Sequence, residues 1–260
     1  MPFLPRLIAL DVDGTVVDES NVVPSEVRDA ITAVQANGIT VVLATGRSLM
    51  SALSVLDDLG LPEAEHVFSN GAVTAIYPPA RVVDVLTFDP RPVVQEVRRA
   101  IPEARFAVEV VGQGYHVTEP FPDGELHGTI TVVPLEELID RDVTRVVVRD
   151  PGATVEEFDA LAARMGMEGV TYHVGYSAWL DLAPHGVDKA HGLARVAARA
   201  GISAAEVLTI GDGRNDISML SWAGRGVAMG GSPSEVVAAA DAVTGTLSEG
   251  GLIDELSRWI

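Results

Sequence analysis

The sequence predicts an α/β fold in which a parallel sheet is interrupted by an inserted α+β unit. Three observations lead there. Short apolar runs alternate with amphipathic helical patterns at both ends of the 260-residue chain, an arrangement that calls for parallel strands joined by right-handed crossovers. Several of these runs stop at polar residues, and open parallel sheets place their ligand sites at the carboxyl ends of the strands. Between residues 82 and 182 the texture changes to alternating strands, Gly-containing turns and separate helix patterns, which reads as a compact unit with an antiparallel sheet.

Taken in order, the first run, Leu7 to Leu10, breaks into Asp11-Val12-Asp13-Gly14-Thr15. Side chains alternate along a strand, so Asp11 and Asp13 can share one side as the chain leaves the sheet, and Gly14 permits a sharp departure. Two carboxylates that close repel by about 4 kcal/mol in a surface-like dielectric, so the pair requires a cation or a retained proton. An isolated Asp-Gly more often marks a hairpin turn, and the rest of the chain must decide between the two. Val27, Ile31 and Val34 follow helical spacing, with Ser25 as N-cap and Asn37-Gly38 as the stop. A second buried run over 39–44 ends in Thr45-Gly46-Arg47, and Leu49, Leu53 and Leu56 open another helix near Ser48. Val67-Phe68 gives way to a Ser69-Asn70-Gly71-Ala72 turn that could touch ligand.

In the insert, strands are expected over 105–111, 128–133, 143–149, 170–176 and 179–182, with helices over 92–100 and 155–165. The parallel pattern resumes at Lys189, which begins a helix that stops at Ala200-Gly201. A buried strand over 207–210 runs into Gly211-Asp212-Gly213-Arg214-Asn215-Asp216, and Ile217, Leu220 and Ala223 suit a helix beyond it. After a last short strand over 226–229, Ser232-Pro233-Ser234-Glu235 combines an N-cap serine with a proline at the first helical position. The first unit is therefore discontinuous, residues 1–81 and 183–260, with 82–182 inserted.

Composition narrows the function. A formal net charge of −19 argues against nucleic acid and anionic membranes as partners, because both need a basic surface to displace counterions. No apolar run approaches bilayer length, and the first residues lack a basic segment and long apolar stretch, so a soluble, cytoplasmic protein is expected. Without cysteine there is no disulfide framework and no thiolate nucleophile. Neither a GxxxxGKS loop nor a GxGxxG after the first strand is present, and the six histidines show no metal or nucleophile-elbow spacing. All but one of the eighteen basic residues are arginine; the exception, Lys189, offers a compact ammonium at a helix start.

In a parallel sheet the three polar strand ends meet at one edge. Asp11, Asp13, Thr45, Asp212 and Asp216 would converge there, with Lys189 beside them. Four carboxylates in one crevice cannot all be ionised at neutral pH unless positive charge is supplied. Mg²⁺ fits a site that uses few protein carboxylates and leaves room for waters and a substrate phosphate. Neither acidic loop has the ligand spacing of an EF-hand, which argues against Ca²⁺.

DVDGT at 11–15, ATGR at 44–47, the single lysine in GVDKAHGL and GDGRNDISML at 211–220 resemble the four ordered motifs of the haloacid dehalogenase superfamily of phosphohydrolases. The insertion resembles the C2-type cap of its Cof-like sugar-phosphatase branch. Similarity continues through GVAMG at 226–230 and DAVTGTLSEGGL, although the usual Asn-Ala after AMG is Gly231-Ser232 here. The resemblance implies a Rossmann-like core and a Mg²⁺-dependent phosphatase acting on a small phosphorylated metabolite, such as a sugar phosphate. It makes Asp11 the nucleophile that forms an aspartyl-phosphate and Asp13 the acid and then the base. It implies metal binding by Asp11, the Asp13 backbone carbonyl and Asp212. Thr45, Gly46, Lys189 and Asn215 would bind the phosphate, and Asp216 would position Lys189 or a metal-bound water. Cap residues would choose the leaving group, with Glu109, His116, Arg145, His173 and Tyr176 as candidates. A phosphosugar mutase would share the same four motifs. A non-catalytic binding protein would not need both a nucleophile and an acid.

Overall fold

The computed structural model describes residues 3–150, 152, 154, 170–174 and 179–260. At its centre lies a five-stranded, wholly parallel sheet formed by β1 (Leu7–Leu10), β2 (Thr40–Leu43), β12 (Val207–Gly211), β13 (Arg225–Ala228) and β14 (Ala242–Val243), in the order β14-β13-β12-β1-β2. Helices α1 (Ser25–Ala36) and α2 (Leu49–Leu59) follow β1 and β2, as the short apolar runs and 3.6-residue patterns require. Strand β1 is buried along its whole length, which is why it reads as an unbroken apolar run. Its register pairs Leu10 with Ile210 on one side and Leu43 on the other. The carboxyl ends of β1, β12 and β2 therefore lie side by side, and this alignment brings the polar loops together.

Beyond β2 a parallel bridge from Ala44 to Val67 joins β3 (Ala64–Phe68), which continues into β4 (Val73–Tyr77) and β5 (Arg81–Val85) as an antiparallel meander. The expected junction at 81/82 falls inside β5, which stays paired to β4. The inserted cap is a six-stranded sheet, ordered β10 (Val170–Val174), β11 (Trp179–Pro184), β9 (Val146–Arg149), β6 (Arg105–Val110), β7 (Gly114–Val117) and β8 (Thr129–Val132). It is antiparallel except for the β7–β8 pair. The expected return at 182/183 likewise falls inside β11. Cap helices α3 (Arg91–Ala100) and α4 (Leu135–Leu138) accompany one face, where Val94, Val97, Phe106, Val146, Val148, Leu180 and Leu182 form an apolar core. The expected helix over 155–165 lies outside the described residues, as does the end of the strand expected over 170–176.

After the cap, α5 (Lys189–Arg199), α6 (Ile217–Trp222), α7 (Ser234–Ala239) and α8 (Gly251–Leu256) complete the core. Two expected serine caps are absent. Pro24 precedes α1, and the hydroxyl of Ser25 donates to Glu26 instead. Before α7 the N-cap is Pro233, because the Ser232 hydroxyl turns back to donate to the Met229 carbonyl. Among the described residues no helix is long and apolar enough to cross a membrane.

Candidate active site

Lys189 is fully buried at the first position of α5, where the Asp188 side chain caps the helix by accepting from the His191 N–H. Its Nζ lies 2.5 Å from Asp11 Oδ1 and 2.5 Å from Asp216 Oδ1. Burial alone would lower the pKa of the ammonium, but Asp11 and Asp216 outweigh it and the net shift is upward. The second oxygen of Asp216 accepts from the backbone N–H groups of Asp212, at 3.0 Å, and Gly213, at 2.8 Å. Both Asp216 oxygens are thus engaged, one holding Lys189 and the other shaping the Asp212 loop. Asp212 comes close because residue 14 is glycine: a Cβ there would stand 2.4 Å from Asp212 Oδ2, and its φ of +80° lies in the left-handed region.

Oxygens of Asp11, Asp212 and Asp216 lie within 4.8 Å of one another. The Asp11 carboxyl is pushed well above its ordinary pKa, chiefly by burial and then by Asp216, while Lys189 pulls it down. One ammonium therefore leaves this group of carboxylates short of positive charge. An all-oxygen donor set with a buried, charge-deficient carboxylate suits a hard divalent cation. The residues present fit Mg²⁺.

Asp13 lines the same cavity as Asp11 and Asp212, but it is held differently. Its side chain is more than half exposed and is gripped by the Arg47 fork, with Nη2 2.5 Å from Oδ1 and Nε 3.0 Å from Oδ2. Arg47 Nη1 also donates to Asn21 Oδ1 at 2.6 Å. Thr45 is buried, and its hydroxyl accepts from the Arg47 N–H at 3.0 Å, so the side chain shapes the turn and takes no part in the cavity wall. Gly46 does line that wall, and Asn215, in the short 3₁₀ turn that runs into α6, lines it too.

The cavity, about 740 Å³, lies between the core loops and the cap. Tyr115, Arg145 and Asp181 reach it from the cap sheet. Their common face follows from strand alternation: Phe106, Val108, Val146, Val148, Leu180 and Leu182 pack toward the helices, so Glu109, Arg145 and Asp181 fall on the other side. Arg145 Nε sits 2.5 Å from Asp181 Oδ1, with both side chains buried. Glu109 accepts from Ser69 Oγ at 2.5 Å, and burial raises its carboxyl pKa. Asp181 and Tyr115 escaped the sequence reading, although the phase of the apolar alternation in β7 and β11 could have found them. Of the cap candidates, Arg145 lines the cavity, whereas Glu109 and His116 are absent from its wall. The His173 side chain and Tyr176 lie outside the described residues.

With this geometry in hand, comparison with known proteins decides the family. The family model described as haloacid dehalogenase-like hydrolase matches residues 8–256. The chain belongs to the haloacid dehalogenase-like hydrolases. This family member is 29% identical to the phosphoglycolate phosphatase of Natronomonas pharaonis, over 96% of each chain. It is 25% identical to the 5-amino-6-(5-phospho-D-ribitylamino)uracil phosphatase YitU of Bacillus subtilis, over 98% of this chain and 97% of that one. Among solved structures, the sugar phosphatase BT4131, of subclass IIB of the superfamily, superimposes with a TM-score of 0.82 at 26% identity, covering 98% of each chain. The resemblance read from the four motifs is borne out, and with it the α/β core and inserted cap.

Proposed function

We propose that this hydrolase removes the phosphoryl group of a small phosphorylated metabolite, with a sugar phosphate as the substrate class, through an aspartyl-phosphate on Asp11. That the chain is a phosphoric monoester hydrolase follows from the family match and the phosphatase names of its relatives. The observation that carries the finer reading is the buried Asp11–Lys189–Asp216 triad, which keeps one carboxylate at the cavity against a fixed ammonium.

In this scheme an Asp11 oxygen attacks phosphorus while the bond to the leaving oxygen breaks, and Asp13 gives that oxygen its proton. Asp13 then takes a proton from water as the water attacks the phosphoryl group, which leaves Asp11 as inorganic phosphate. For either step the Arg47 fork must release Asp13, which it grips in this conformation. Lys189 offsets charge on Asp11 and the phosphoryl oxygens, and Asp216 holds Lys189 in place. Gly46 and Asn215 contact the phosphate from the cavity wall, and Thr45 shapes the turn that presents Gly46. Asp11, the Asp13 backbone carbonyl and Asp212 would hold Mg²⁺, which supplies positive charge opposite the developing negative charge. The cap excludes bulk water, which suits a reaction as slow without a catalyst as monoester hydrolysis.

Phosphate release should be measured over sugar phosphates, phosphoglycolate and nucleotides, with and without Mg²⁺, alongside Asp11→Asn. Release that depends on Mg²⁺ and vanishes in Asp11→Asn is expected. Release that persists in that variant, or needs no metal, would sink the mechanism. An isomeric sugar phosphate as product, in place of inorganic phosphate, would replace hydrolysis with phosphoryl transfer.

A further inference from the structure

Asn70 stands where the cap and two core loops meet. Its Oδ1 accepts from Asn215 Nδ2 at 3.0 Å, and its Nδ2 donates to Asp181 Oδ2 at 3.1 Å. Contacts continue from Asp181 to Arg145 Nε at 2.5 Å, and from Arg145 Nη1 to the Tyr115 hydroxyl at 3.3 Å. Toward the core, a Cβ on Gly46 would stand 3.1 and 3.3 Å from the two polar atoms of the Asn70 amide and 3.4 Å from Asn215 Nδ2. The Gly46 backbone therefore lies against both amides. A hydrogen-bonded chain runs from the cap's ion pair to the loops that contact phosphate in the proposed function.

The backbone is bent to make this junction. Ser69, Asn70 and Gly71 have consecutive φ values of +50°, +51° and +96°. Residues held in the left-handed region persist where their surroundings over-determine them, and they cluster at functional sites. Asparagine tolerates that region better than most side chains, so it meets the backbone demand and supplies both a donor and an acceptor.

The cap end of the chain also has a chemical preference. The three arginines on the cavity wall among the described residues are each paired: Arg47 with Asp13, Arg145 with Asp181 and Arg214 with Glu235. Asp18 and Glu19 add carboxylates to that wall, whereas Glu125, also on it, is paired with Arg149 at 3.1 Å. An anionic leaving group meets net repulsion there, whereas hydroxyls can accept from Arg145 and donate to Asp181.

We infer that Asn70 is a positioning residue, relaying the binding of an uncharged, hydroxylated leaving group at Arg145 and Asp181 to Gly46 and Asn215 at the phosphate end. The inference rests on the phosphatase reading above and adds the device by which leaving-group contacts reach the reacting end. Binding energy remote from the reacting bond, used to orient phosphate, raises kcat and not only affinity.

The test compares kcat and KM for glucose 6-phosphate, ribose 5-phosphate and glycerol 3-phosphate with those for p-nitrophenyl phosphate, whose leaving group carries no hydroxyl beyond the ester oxygen. In Asn70→Asp the backbone preference is kept, but a carboxylate opposes Asp181. The ratio of kcat for the best hydroxylated ester to that for p-nitrophenyl phosphate should fall about tenfold. The double variant Asn70→Asp with Asp181→Asn reverses the contact: the new amide at 181 donates to the new carboxylate at 70 and still accepts from Arg145 Nε. That pair should recover the ratio to within about threefold of the parent. Proportional loss on both ester types would overturn the inference, since a merely structural role lowers both alike. So would a double variant no better than Asn70→Asp, or a parent enzyme that hydrolyses p-nitrophenyl phosphate and no hydroxylated ester. No phosphate release from any ester, p-nitrophenyl phosphate included, would instead sink the phosphatase reading on which the inference stands.

Discussion

Lys189 has no exposed surface and two carboxylate partners, so its removal strands Asp11 and Asp216 without a counter-charge. Lys189→Met should cost about 3–5 kcal/mol in a denaturant titration, besides abolishing activity. Asp11→Asn should behave oppositely. Burial disfavours the ionised Asp11 carboxyl, so the neutral isostere should leave the metal-free protein at least as stable as the parent while it abolishes turnover. His66 offers a pH signature independent of the site. It is fully buried, its Nδ1 accepts from the Leu43 N–H at 3.0 Å, and burial pushes its pKa down to about 4. The unfolded imidazole therefore binds a proton that the folded one refuses between about pH 6.5 and 4. Stability is highest above that window and should fall by about 3 kcal/mol as pH drops through it. His66→Gln, which keeps an acceptor for Leu43, should remove that slope in urea titrations at successive pH values. Residue chemistry was legible where a polar group ends an apolar strand, as at Asp11 and Asp212. The Arg47–Asp13 fork was not, because a side-chain pairing between residues 34 apart leaves no periodic trace.

At the scale of elements, the start of α5 and the turn over 69–71 form a single joint. A Cβ at residue 71 would stand 2.0 Å from the Asp188 carbonyl oxygen, and the φ of +96° already disfavours any side chain. Gly71→Ala should therefore cost more than about 2 kcal/mol and displace Lys189, to be read as lowered stability together with lowered kcat. Asp188→Ala removes only the cap of α5 and should cost about 1 kcal/mol in the same titration. The parallel strands announced themselves because both faces are buried, which leaves β1 uniformly apolar and β12 apolar apart from Thr209. Strand β5 gave no such signal. Its Val82, Val83 and Val85 remain 38–44% exposed at a sheet edge, so neither a buried run nor a clean alternation marks it. The serine caps failed for a local reason, since Pro24 and Pro233 fix the chain entering α1 and α7 and the neighbouring hydroxyls find other partners.

For the whole molecule, core and cap meet through buried polar contacts, Ser69 to Glu109 and Asn70 to Asp181, at a cavity rich in carboxylates. The sequence made the insertion visible through its change of texture, but which cap residues face the core depended on sheet phase and on contacts across more than a hundred residues. A molecule carrying a formal charge of −19, with Asp11, Asp212 and Asp216 gathered at one sheet edge, should be stabilised by the cation that edge fits. Mg²⁺ at a hundredfold excess over its dissociation constant should add about 2.7 kcal/mol, seen as a raised melting temperature that Asp212→Ala abolishes. An unchanged melting temperature would remove the metal from the account. The central claim, phosphoryl transfer by way of Asp11, is tested most directly by the stereochemical course at phosphorus, using an isotopically chiral phosphate monoester. Two successive in-line displacements, to Asp11 and then to water, predict overall retention; inversion would mean that water attacks the substrate directly and would contradict the account.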